Sequence, residues 1–146
     1  MGYTKFERLF RAAAGVDVDR DDMKRYLDFV DEAIYDLLLA GQATATANGR
    51  DIIQPRDLPV TAGLQGTMHE FRKLDEDIEL RPILDDLTAR PPLRYALSEE
   101  TQDRLPIVFG GISVALAKTL RILDPRERRV PPSEWERAFQ VFGTLV

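Results

Sequence analysis

The sequence predicts an all-α protein built from two consecutive helical units, and three observations predict it. Two long stretches, residues 23–48 and 101–124, place apolar side chains at steps of three and four. Each is preceded by one shorter amphipathic stretch and followed by another. The connections between them are brief, extended in character and bounded by Gly, Pro, Ser and Asp.

The first helix is expected over "TKFERLFRAAAG", with Phe6, Leu9, Phe10 and Ala13 on one face. Thr4, with Glu7 three residues on, has the spacing of a capping box, and Gly15 is the stop. Asp19 or Asp21 caps the long second helix. Its stripe is Met23, Tyr26, Leu27, Val30, Ala33, Ile34, Leu37, Leu38 and Gly41. A helix of this length spans roughly 42 Å. Ala and Thr in its last turns are small enough for a partner to cross closely, and Gly49 ends it. Ile52 and Ile53 form a short extended piece. Pro55 is expected to open a third helix carrying Leu58, Ala62, Leu64, Met68 and Phe71 toward Leu74.

The same order then returns. "DIELRPILDDLTARPP" reads as a short helix with Leu80, Ile83, Leu84 and Leu87 inward. Ser98 caps a second long helix whose stripe is Leu105, Val108, Phe109, Ile112, Leu116, Thr119, Leu120 and Leu123. Gly110 and Gly111 are read as letting the two long helices approach closely. "SEWERAFQVFGTL" closes the chain with Trp135, Ala138, Phe139, Phe142 and Leu145 inward. The expected organisation is one compact domain, 1–146, made of halves 1–74 and 75–146. The repeat is one of architecture, since residue identity between the halves is poor.

Composition narrows the function. With 20 Lys and Arg against 25 Asp and Glu, the net charge of -5 does not suit a protein that coats DNA by bulk charge. There is no cysteine, hence no disulfide, thiolate nucleophile or thiolate metal site. The N-terminus lacks the apolar run of a secretory signal, and the longest apolar run is too short to span a bilayer. A cytoplasmic, membrane-free protein is expected. The lone histidine, His69, lies in a polar stretch and reads as a surface residue. "FGGIS" lacks the lysine and spacing of a phosphate loop. The runs "DVDRDD" and "DEDIE" lack calcium-loop spacing and read as helix caps and solvated faces. No catalytic, cofactor or metal residue is expected.

In "GRDIIQPRDL", Arg50 and Asp57 bracket the extended piece, seven residues apart. Short, long and short helices joined by extended loops resemble the histone fold, and the first half resembles archaeal histones, without a gap from Asp19 to Arg50. In that family the loop Arg pairs with the Asp that opens the third helix, so the resemblance implies a structural clamp between Arg50 and Asp57. The whole chain is similar to a bacterial family of doubled histone folds, through "FERLFRAAAG", "YDLLLAGQATATANGRD", "DLPVTAGLQGTMHEFR" and "RPPL". That resemblance implies a pseudodimer, each half the internal partner of the other. In the second half Glu134 takes the acidic position, and Arg126, Arg128 or Arg129 would supply its partner.

For DNA the resemblance implies less. Arg50 is kept, but Asp51 stands where a Lys is usual, Ile52 where a Thr is usual and Asp17 where an Arg is usual. Two phosphate-contacting cations have become anions, which opposes wrapping. In a histone pair the first loop of one half lies beside the second loop of the other. That would gather Arg50, Arg56, Arg90 and Arg94 at one end, and set Arg126, Arg128 and Arg129 against Asp17 and Asp19 at the other. The expected function is a non-enzymatic histone-fold architectural or protein-interaction protein, with other proteins as its external partners. The alternative is a weak, sequence-independent DNA binder using Arg50, Arg56, Arg90 and Arg94.

Overall fold

The computed structural model describes residues 2–89, 96–126 and 128–145, and among them the fold is all-α with one minimal sheet. The elements are α1 Gly2–Ala14, α2 Arg20–Ala47, β1 Ile52–Ile53, a 3-10 turn Pro55–Asp57, α3 Ala62–Ile78, α4 Arg81–Leu87, β2 Ala96–Leu97, α5 Glu99–Leu123 and α6 Pro132–Leu145.

Most helix ends follow from local chemistry. Asp19 accepts the Asp22 N–H at 2.8 Å and caps α2, and Ser98 accepts the Thr101 N–H at 3.1 Å and caps α5. Gly15 and Gly49, which follow α1 and α2, both take positive φ, 66° and 70°. Two expected starts are corrected. Thr4 lies inside α1, which already begins at Gly2. Pro55 opens only a 3-10 turn; the chain then runs extended to Thr61, which caps α3 through the Leu64 N–H at 3.1 Å. A second proline, Pro59, has no N–H to continue a helix from that turn.

The helix α3 runs on to Ile78, so the expected division at 74/75 falls inside it. The chain turns instead at Glu79, a non-glycine residue at φ 58°. Three contacts hold that turn. Leu80 donates its N–H to Asp75 Oδ1 at 2.6 Å, Lys5 reaches the Glu79 carbonyl at 2.9 Å, and the Leu80 side chain is fully buried. The acidic run "DEDIE" therefore contributes a turn anchor, Asp75.

The two long helices are buried to different degrees. On α5 every residue from Leu105 to Val114 is buried, so apolar surface covers the helix all round. By length and composition α5 could cross a membrane, which corrects the expectation that no segment qualifies; 72% of its apolar window is instead covered by the rest of the fold. Helix α2 buries one stripe, from Met23 through Tyr26, Val30, Ile34 and Leu37 to Ala45. The two meet at Tyr26. Ser113 donates its hydroxyl hydrogen to the Phe109 carbonyl at 2.8 Å, which leaves its oxygen to accept from the Tyr26 hydroxyl at 2.6 Å. The Tyr26 ring takes edge-to-face contacts from Phe6, Phe10 and Phe109.

Glycine places α3 on α5. A Cβ on Gly110 would run into the Phe71 ring, and one on Gly111 into Met68. These glycines therefore admit α3, not the crossing helix α2 that the sequence suggested. The Ala and Thr of the last turns of α2 admit no crossing helix either: of residues 43–47 only Ala45 is buried, and Gly41, one turn earlier, lies under Ile53 and Leu58 of the loop that follows.

Gly110→Ala is expected to destabilise the protein by about 3 kcal/mol, because the added methyl overpacks a fully buried ring. Pairing it with Phe71→Leu should restore part of the loss. Denaturant titration of the two single variants and the double variant gives the coupling, and purely additive losses would contradict the packing described.

Candidate functional site

The loops between helices pair crosswise. The loop after α2 lies parallel to the strand before α5, with Ile52 opposite Ala96 and Ile53 opposite Leu97. The Ile53 carbonyl also accepts the Ser98 N–H at 3.1 Å and the buried Thr101 hydroxyl at 2.7 Å. At the other end the loop after α1 bridges the loop after α5. Asp17 stands parallel to Arg129, and the Asp17 N–H donates to the Arg128 carbonyl at 2.7 Å.

At the first end Arg50 grips Asp57 with both terminal nitrogens, Nη1 to Oδ2 and Nη2 to Oδ1, each at 2.7 Å. The Gln54 N–H adds a third bond to Asp57 at 2.8 Å. The Asp57 carboxylate is 1% exposed, while the Arg50 side chain keeps 24%. The Arg50 hydrogen bonds, and then the Gln54 N–H, outweigh burial and hold the Asp57 pKa down at about 2. The same bonds raise that of Arg50. A guanidinium committed to a carboxylate in this way offers a phosphate little free charge. Arg56 and Asp51 are exposed beside it. Arg90 and Arg94 lie outside the described residues.

The second end is organised by anions. Asp17 pairs with Arg11 at 3.2 Å and with Arg128 at 3.9 Å, and Asp19 with Arg129 at 3.2 Å. Asp22, only 2% exposed, sits behind Asp19. Burial, followed by the charge on Asp19, pushes its pKa up to about 6. Among the described residues no second clamp forms through Glu134. That carboxylate bonds Arg137 one turn along α6, at 3.1 Å, because Arg128 and Arg129 are drawn to Asp17 and Asp19.

Sequence reasoning missed Arg121. From the last turn of α5 its Nε donates to the Ala14 carbonyl at 2.8 Å, and its Nη2 reaches the Gly15 carbonyl. One cation thus ties the C-terminus of α1 to that of α5. The available signal was a basic residue in the last turn of a long helix, where carbonyls lack partners.

His69 is exposed on α3. Among the described residues no cluster of three or more His, Asp or Glu has the arrangement of a metal site. Within "DVDRDD", Asp19 is a cap, Asp22 a buried acid, and Asp17 and Asp19 ion-pair partners.

This is the class the structure defines: an all-α chain closed on itself by two crosswise loop pairs. The chain belongs to the family described as "Domain of unknown function (DUF1931)", whose model matches residues 6–143. It is similar to a crystal structure of a protein from Thermus thermophilus, 45% identical with a TM-score of 0.88, covering 99% of this chain and 97% of that one. A crystal structure of an Aquifex aeolicus protein shares the fold at 23% identity, with a TM-score of 0.84 over 99% of this chain and 95% of that one. Among curated relatives is an Aquifex aeolicus (strain VF5) protein, 29% identical over 131 residues, 81% of this chain and 76% of its own length. It carries the name "Uncharacterized protein".

Asp57→Ala leaves the Gln54 N–H and Arg50 without their partner. It should cost about 1–3 kcal/mol, whereas Arg56→Ala should leave the melting temperature unchanged. Equal melting temperatures for the two variants would exclude the clamp as a structural tie.

The two shifted acids act in opposite directions with pH. Asp57, depressed to about 2, contributes stability above the unfolded value of about 3.9, and that contribution is lost as pH falls through 2. Asp22, raised to about 6, binds its proton more tightly in the folded state, so stability falls as pH rises from about 4 through 6. Melting temperature should therefore be higher at about pH 5 than at pH 7, and Asp22→Asn should flatten that slope. An unchanged slope in the variant would assign the effect elsewhere.

Proposed function

We propose that the chain is an intramolecular pair of histone folds acting as a non-enzymatic architectural protein that engages other proteins. The single observation that carries this reading is the crosswise, parallel pairing of both loop sets, Ile52–Ile53 with Ala96–Leu97 and Asp17 with Arg129. Two short–long–short units clasped head to tail bring their loops together in that way. The Arg50–Asp57 clamp supports the same reading. The boundary between the units then lies at the Glu79 turn, after the full length of α3.

A second reading is weak sequence-independent DNA binding through Arg50, Arg56, Arg90 and Arg94, of which Arg50 and Arg56 are among the described residues. Three observations count against tight wrapping. Arg50 is neutralised by Asp57, Asp51 is exposed beside it, and Arg11, Arg128 and Arg129 are paired with Asp17 and Asp19. Each cation so occupied removes one counterion-release contribution.

Duplex DNA retardation across a salt series tests the order of the two. Binding is expected no tighter than about 10⁻⁴ M at physiological salt. Asp51→Lys should strengthen it, since that side chain is exposed and the change adds a cation beside Arg56. Tight binding by the unaltered protein, with protected lengths growing in regular steps, would make the chain a DNA-wrapping protein instead.

A further inference from the structure

Beside the first loop end an open groove of about 560 Å³ lies between the Pro55–Asp57 turn, α3 and the first half of α5. Its volume falls in the range of small-molecule sites. Pro55 and Val60, both half-buried, give it its apolar surface, while Leu58, Met68 and Val108 lie beneath at 7%, 6% and 1% exposure.

The charged lining consists of Arg56, Glu100 and Arg104. Glu100 and Arg104 stand four residues apart on α5, a spacing at which such residues usually pair, yet no ion pair joins them. Glu100 occupies the first turn of α5, where the helix N-terminus favours a carboxylate without a cation. Arg56 has Asp57 for a neighbour, but the Asp57 oxygens are taken by Arg50 and the Gln54 N–H. Two guanidiniums from different elements therefore face one groove without an ion-pair partner among the described residues, in a chain whose carboxylates outnumber its cations. The turn that carries Arg56 is fixed by the Arg50–Asp57 clamp, so one wall is pre-organised before any ligand arrives.

We propose that this groove binds a small amphipathic organic anion. Its carboxylate or phosphate head lies between Arg56 and Arg104, and its apolar body lies against Pro55 and Val60. Guanidinium groups match both heads through charge-assisted hydrogen bonds. The site goes beyond the architectural reading and does not depend on it.

The test uses the full chain, labelled for NMR, with octanoate, octyl phosphate and octylammonium as probes sharing one apolar body. At least one of the anions should shift the resonances of groove residues, with a Kd below about 1 mM, and octylammonium should not. Which anion binds more tightly distinguishes the head groups. Arg56→Gln and Arg104→Gln should each weaken binding about tenfold at unchanged melting temperature, while Arg72→Gln on the outer side of α3 should not. Equal binding of octylammonium, indifference to both substitutions, or no groove shift with either anion would overturn the proposal. A duplex DNA that shifts the groove resonances where neither anion does would also overturn it and assign the arginines to nucleic acid.

Discussion

Everything in this fold depends on the burial of α5. Ten consecutive residues, Leu105 to Val114, are out of water, and no single neighbouring helix can cover a cylinder on all sides. Helices on both sides of the Glu79 turn supply the cover, α1, α2 and α3 before it and α4 and α6 after it. Helix α3 packs tightest against it, over Gly110 and Gly111. Each large apolar side chain of α5 left exposed would forgo roughly 1.5–3 kcal/mol, so the helix needs all of these neighbours at once.

Electrostatics then fixes what packing leaves loose. Extended loops have few side chains to bury, so their geometry is set by polar groups with fixed donors and acceptors. Asp57 collects three donors, Arg121 collects carbonyls from two helix ends, and Asp17 and Asp19 collect arginines across the loop pair. The buried Asp22 is the exception, an acid placed where its ionisation opposes folding.

Much of this was legible in the sequence, for reasons that differ by element. The two long helices declared themselves through steps of three and four and through the caps Asp19 and Ser98. The Arg50–Asp57 clamp was implied by the resemblance of "GRDIIQPRDL" to the loop of archaeal histones; the seven-residue spacing alone only raised the question. What escaped reading was long-range. Nothing local tells Gly110 that its neighbour will be Phe71 rather than α2. The histone resemblance did set Arg128 and Arg129 against Asp17 and Asp19, 110 residues from Arg129 to Asp19, but nothing near Glu134 says that this pairing leaves it to Arg137. The start of α3 was misplaced because Pro55 suits the first turn of any helix and does not reveal that the turn is only three residues long. Arg104 drew no notice, since only the folded chain brings it opposite Arg56.

The unequal burial of the two long helices has a consequence for how such a molecule can change. When two identical chains clasp each other, every substitution appears twice, and a residue good for the inner position must also serve the outer one. Here one chain carries both long helices, so each position answers for a single environment. Helix α5 is free to become an interior rod with glycines at its tightest contact. Helix α2 is free to hold a solvated acidic face that no central helix would tolerate.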